Sequence, residues 1–216
     1  MRYTDQLREA AGDQWNRVIH HKFTKDLAAG TIDHDCLKKY LIQDHRFLDS
    51  GVVLFASMIA KAKTLEDRIP GCQFLALLTG KENTYFERSF EALKVSQEER
   101  SSIPNAACTT EFCDFVLSVA ATGSLAEMLA VIVACEWSYL SWGELVLEEH
   151  VRKDFYCYEW VDLHSGDYFT SVVEYLRSLL DKEVETMNDA EKKACQTRFL
   201  ETVQLEEDFF DFAMKK

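Results

Sequence analysis

Proline and glycine are scarce. Two prolines, Pro70 and Pro104, and eight glycines punctuate 216 residues, too few for the turns of a many-stranded sheet, and the chain is expected to be built from long helices. The seven cysteines are scattered, odd in number and without a CxxC pair. A disulfide framework is therefore not expected, and the thiols are read as reduced, in a cytoplasmic protein. Met1 runs straight into the amphipathic MRYTDQLREAAGDQW rather than a secretory leader. No apolar run approaches about 18 residues, so no membrane span is expected. Cationic excess is missing too. A net charge of −13 argues against nucleic acid and anionic membrane as partners. There is no nucleophile elbow, phosphate loop or dinucleotide fingerprint. The Glu-x-x-His pairs of a di-iron bundle are absent, Glu148-Glu149-His150 having the wrong spacing, and His20 and His21 point to different helix faces. A proximal histidine for haem stays open at this level.

What is present is an apolar fraction of 47%, enough for one domain over residues 1–216 with a substantial core. Helical periodicity is read over 5–21, 22–29 and 34–48, the last capped by Asp33. Gly51 permits a kink before a resumption over 52–62. Arg68-Ile69-Pro70-Gly71 reads as a turn, 72–95 as one helix, and the polar stretch 97–105 as a loop. Further helices are expected over 109–121 and 124–150. They continue over 155–163, from an Asp167 cap to 180, and from the capping-box-like Asn188/Glu191 to 214. The fold class is all-α, eight or nine helices around one core.

One stretch stands out: SLAEMLAVIVACEWSYLSWGELVLEEH, residues 124–150. Ser124 and Glu127 form a capping box. Residues 128–135 carry no charge, as in a helix buried all round. Then come Cys135, Glu136 and Tyr139, with Cys135 and Tyr139 four apart on one face. Two further carboxylates interrupt apolar stripes. Asp44 lies four after Tyr40 and four before Leu48, and Glu206 lies three after Val203 and three before Phe209. An aspartate on such a stripe is either a structural ion pair or a site residue. A lone buried cysteine is commonly just packing, and a tyrosine at helical spacing commonly core. Taken together, Asp44, Cys135, Glu136, Tyr139 and Glu206 could line a pocket between bundle helices. Aromatic walls suit a flat ring, and buried carboxylates suit the donors of a heteroaromatic amine. A carboxyl raised by burial can act as a general acid near neutrality, and a thiol beside a base can act as a nucleophile.

FTKDLAAGTI, LKKYLIQDHRFL, GSLAEMLAVIVACEWSYLSWGE, LHSGDYF and LETVQLEEDFFDF occur in an order and at separations that resemble the TenA (thiaminase II) family. The resemblance covers nearly the whole chain and implies a haem-oxygenase-like helical bundle. It implies that Asp44 binds the amino group and ring nitrogen of a pyrimidine, that Cys135 attacks the ring, and that Tyr139 lies in the pocket. Glu206 matches the C-terminal catalytic acid and Phe209 an aromatic pocket residue. Phe47, Phe112 and His164 stand where the family has pocket tyrosines. The Cys-Glu-Trp-Ser-Tyr wording is similar to the glutamate-reliant TenA_E branch, so Cys135 and Glu136 compete for one role. Helix neighbours are about 100° apart, which sets them on different headings.

The implied activity is thiamin salvage: hydrolysis of 4-amino-5-aminomethyl-2-methylpyrimidine to the hydroxymethyl compound and ammonia, with the N-formyl derivative as a second substrate. Asp44 holds the ring and Phe47 and Phe209 sandwich it. Glu206 protonates the amine and activates water, and Cys135 or Glu136 assists. No metal or organic cofactor is implied, and the chain is expected to form a homo-oligomer, a dimer or a tetramer. Thiamin cleavage and non-catalytic pyrimidine binding are the alternatives.

Overall fold

A computed structural model describes residues 1–215. The chain winds through α1 (Tyr3–Ile19), α2 (Lys22–Ala28), α3 (His34–Lys61) and α4 (Leu65–Leu77). A π turn (Leu78–Glu82) leads into α5 (Asn83–Ala92), α6 (Gln97–Ser102) and α7 (Ala107–Thr122). The remaining helices are α8 (Leu125–Val146), α9 (Phe155–Leu163), α10 (Gly166–Val184) and α11 (Asp189–Met214). No strand occurs among the described residues.

α8 is the axis of the bundle. It packs against α11 and α10, with α1 and α3 completing its surround. Met128, Leu129, Ala130, Val131, Val133 and Ala134 have no exposed surface. Each large apolar side chain buried this way contributes roughly 1.5–3 kcal/mol. By length and composition α8 could cross a bilayer, yet here its apolar residues face other helices. Its start is fixed as the spacing predicts. The Ser124 hydroxyl accepts the Glu127 N–H at 3.2 Å and the Glu127 carboxylate accepts the Ser124 N–H at 2.9 Å. Asn188 and Glu191 cap α11 reciprocally in the same way, and Asp33 caps α3.

Several boundaries differ from expectation. α1 bends at Gly12, whose φ of +51° only glycine adopts readily. α3 runs through Gly51 without a break, because the helix is held on both sides of that residue by packing on α7 and α4. Arg68-Ile69-Pro70-Gly71 is helical, not a turn. Pro70 removes one N–H, but tertiary contacts hold this segment in place. Thr64 caps it, the Arg68 guanidinium donates to the carbonyls of Ile59 and Ala62, and the Tyr175 hydroxyl donates to the Asp67 carbonyl at 2.6 Å. Residues 97–102 form α6, capped by Ser96, rather than loop. α10 begins at Gly166, one residue before the expected Asp167 cap, because the Glu144 carboxylate from α8 accepts the Gly166 N–H at 2.6 Å. The single helix expected over 72–95 is interrupted by the π turn. All seven cysteines are free thiols.

Candidate active site

One cavity of about 70 Å³ lies between α3, the π turn, α7, α8, α9 and α11. At roughly 10–15 Å³ per water, it has room for several waters or one small planar ring. α3 contributes Asp44 and Phe47, α8 contributes Cys135, Glu136 and Tyr139, the end of α9 contributes Trp160 and His164, and α11 contributes Glu206. Seven of the nine residues singled out from sequence thus share one wall system. Cys135 and Glu136 both line it: neighbours 100° apart can flank a cavity that is wider than one side chain.

Phe112 stands behind Phe47, outside the wall, and the other exception is Phe209. It is buried but is not part of the cavity wall; it packs edge-on against Tyr40, ring centres 5.6 Å apart. It is therefore not placed to form one side of a ring sandwich in this cavity. Phe47 does line the cavity, backed by Phe112 at 4.3 Å.

The electrostatics are lopsided. Asp44 and Glu206 are 7% and 2% exposed. Burial raises the Asp44 pKa to about 7, the neighbouring Tyr40 hydroxyl opposing the rise. Glu136 is raised to about 8 by burial and then by Glu206. Glu206 is likewise raised to about 8 by burial, with the Cys135 thiol opposing and Asp44 adding. The Cys135 thiol is pushed well above its ordinary value by burial and then by Glu206 and Glu136, so the resting group is a thiol. Tyr40 and Tyr139 join hydroxyl to hydroxyl at 2.8 Å, linking the Tyr139 wall to Asp44.

His164 is held neutral. Burial lowers it to about 4 against the opposing pull of its bond to Trp160. The partner of Nδ1 is the Trp160 carbonyl at 2.8 Å; a carbonyl only accepts, so Nδ1 carries the proton and Nε2 is left as an acceptor. The position of His164 is set by α8. A Cβ on Gly143 would stand 2.1 Å from the His164 carbonyl oxygen, so only glycine lets the two backbones approach this closely.

Sequence reasoning missed Glu82. It ends the π turn, is 8% exposed and lines the same cavity. Burial, then Glu136 and Asp44, hold its pKa well above the carboxylate range. Its signal was the one that revealed Asp44: Glu82 lies four after Leu78 and four before Phe86 on an apolar stripe. Trp160 was missed as well. Its ring NH is buried without a partner. Four carboxyl groups therefore meet one cavity whose lining contains no lysine or arginine. Among the described residues no three His, Cys, Asp or Glu groups converge to hold a metal ion.

Compared with known proteins, residues 8–216 match the model of the TENA/THI-4/PQQC family. The chain belongs to that family. A relative from Halalkalibacterium halodurans, named aminopyrimidine aminohydrolase, is 28% identical over 99% of this chain and 96% of its own. A TenA homologue from Pyrococcus furiosus superposes with a TM-score of 0.87 at 24% identity, covering 98% of this chain and 99% of that one. A haem-oxygenase-like domain from Shewanella denitrificans superposes with a TM-score of 0.71 at 13% identity, over 97% and 91% of the two chains. The all-α, haem-oxygenase-like bundle is thereby established.

Proposed function

We propose that this protein is a hydrolase of thiamin salvage that converts 4-amino-5-aminomethyl-2-methylpyrimidine and water to the hydroxymethylpyrimidine and ammonia. The carrying observation is the convergence of Asp44, Cys135, Glu136, Tyr139 and Glu206 on one small cavity. Membership of the family and the aminohydrolase name of the relative support the same reading. The cavity's size favours a single ring over thiamin with its second ring.

Asp44 accepts hydrogen bonds from the ring's amino group and protonated nitrogen, within reach of Tyr40 and Tyr139. Phe47 covers one ring face. The His164 Nε2 and the Trp160 NH offer an acceptor and a donor at the other end. Glu206, protonated below about pH 8, gives its proton to the departing amine and then takes one from the attacking water. Cys135 adds to the ring when its proton passes to a neighbouring carboxylate, the thiol being too weak an acid to ionise alone. Glu136 orients the water.

The N-formyl derivative is the second and poorer substrate. The enzyme is taken to be one domain over residues 1–216, cytoplasmic in keeping with its free thiols, and a dimer or tetramer of identical chains. The test is turnover of the aminomethylpyrimidine by purified, metal-depleted protein, with ammonia and hydroxymethylpyrimidine measured together. Glu206→Gln is expected to lower kcat by roughly 10²–10⁴-fold, the range for a lost general acid–base. Full activity in that variant refutes the assignment of the acid. Binding of the pyrimidine with no turnover by the wild type refutes the enzyme reading.

A further inference from the structure

Glu82 has no place in the chemistry just described. Ring recognition is provided by Asp44, proton transfer by Glu206, and water by Glu136. Yet Glu82 is more than nine-tenths buried, it lines the cavity, and it has no hydrogen bond or ion pair among the described residues. Nothing in the bundle needs it. A carboxyl buried without a partner is unfavourable, and its turn is a π turn, a rare geometry found frequently at functional sites. Its neighbour Asn83 is tied to His45 of α3 at 2.9 Å, so the turn is anchored and the carboxyl is aimed by its backbone.

The lining as a whole shows the same imbalance. It contains Asp44, Glu82, Glu136 and Glu206, a histidine kept neutral, and no cationic side chain. Carboxyl groups gathered in a low-dielectric space remain protonated, or are matched by a positive ligand. A primary ammonium fits the second case: it has one charge and three N–H donors. An N-acylated amine fits poorly, having one N–H and no charge.

Building on the reading of the cavity as an aminopyrimidine site, we propose that Glu82 is a specificity-determining residue. With Glu136 it receives the side-chain ammonium of the substrate, selecting the free primary amine over neutral substituents at the same ring position. Two N–H groups go to Glu82 and to one oxygen of Glu136, whose other oxygen faces the water. The third is the proton that Glu206 delivers, which makes the ammonium and leaves Glu206 as the carboxylate that then takes a proton from the attacking water.

Glu82→Gln tests this, being nearly the same shape and uncharged. Two probes are measured on the same preparation: kcat and KM for the aminomethylpyrimidine, and the inhibition constant of the neutral hydroxymethylpyrimidine. KM for the amine is expected to rise about 10–100-fold, the size of one hydrogen bond between charged groups. The kcat value and the inhibition constant of the neutral compound are expected to stay within about threefold. Glu82→Asp, which keeps the charge on a shorter stem, recovers part of the loss. Equal weakening of both ligands would show that Glu82 only shapes the cavity, and would overturn the proposal. So would a fall in kcat at constant KM, or no change in either ligand. Wild-type turnover of the amine stands apart from all these outcomes, so the proposed function can hold while this inference fails.

Discussion

Glycine to alanine within a helix ordinarily stabilises by roughly 0.5–1 kcal/mol. At Gly143 the opposite is expected. Gly143 lies inside α8, and an added Cβ would meet the His164 carbonyl oxygen at 2.1 Å and its carbon at 2.9 Å. Both are backbone atoms, so no side chain can rotate away. Even a tight contact of 3.0 Å requires the helices to part by about 0.9 Å. The Glu144 carboxylate, one residue on, holds the Gly166 N–H, so the junction resists that movement from the other side. Overpacking of this kind costs about 1–3 kcal/mol. After the helix-propensity gain, Gly143→Ala is expected to lose roughly 1–2 kcal/mol. For a chain of this length that is about 2–8 °C in Tm, read by differential scanning calorimetry or fluorimetry. Displacing His164 by close to 1 Å should also lower kcat/KM, by up to roughly 10²-fold. Gly51→Ala is the internal control. Gly51 is also within a helix and also lines the cavity, but nothing lies within 4 Å of its added Cβ, so Tm should rise slightly. A Gly143→Ala protein as stable as wild type, or more so, would refute the argument that this contact positions His164.

Stability should depend on pH with a defined sign. Asp44, Glu136 and Glu206 have folded-state pKa values of about 7, 8 and 8, above the ordinary 3.8 and 4.5, so the folded protein binds their protons more tightly than the unfolded chain does. Their effect is to lower stability as pH rises from about 4 to 8. His164, depressed from 6.5 to about 4, acts in the other direction, but only below about pH 6.5. Between pH 6.5 and 8 the ligand-free Tm is therefore expected to fall, and Glu206→Gln to flatten the slope; a Tm that climbs through this window would contradict the assignment. Tyr40→Phe removes the hydroxyl that holds the Asp44 pKa down, so the KM–pH profile for the pyrimidine should move to higher pH, at a cost in stability of about 1 kcal/mol. Ser124→Ala breaks the capping box of α8 and should cost about 1 kcal/mol in urea unfolding with no change in KM.

The helical class, the central place of residues 124–146 and the caps at Ser124, Asp33 and Asn188 were legible from the sequence. Each rests on local chemistry: a 3.6-residue period, or a side chain meeting a backbone N–H three residues away. Asp44 and Glu206 were legible for the same reason, as charges out of place on an apolar stripe. The pyrimidine reading came from family resemblance rather than from that period. Tertiary structure decided the rest. Whether Cys135 or Glu136 faces the cavity depends on its width, which no helical wheel contains, and both proved to do so. Phe209 has the spacing of a pocket residue, but it packs on Tyr40 of another helix and lies outside the cavity wall. Arg-Ile-Pro-Gly has the composition of a turn, yet it is helical: Arg68 ties it back to the end of α3, and Tyr175, more than a hundred residues on, holds it from α10. Glu82 carried the Asp44 signal, but its meaning depends on a cavity with four carboxyl groups and no cation. That imbalance is assembled from α3, the π turn, α8 and α11, and exists only once they have packed together.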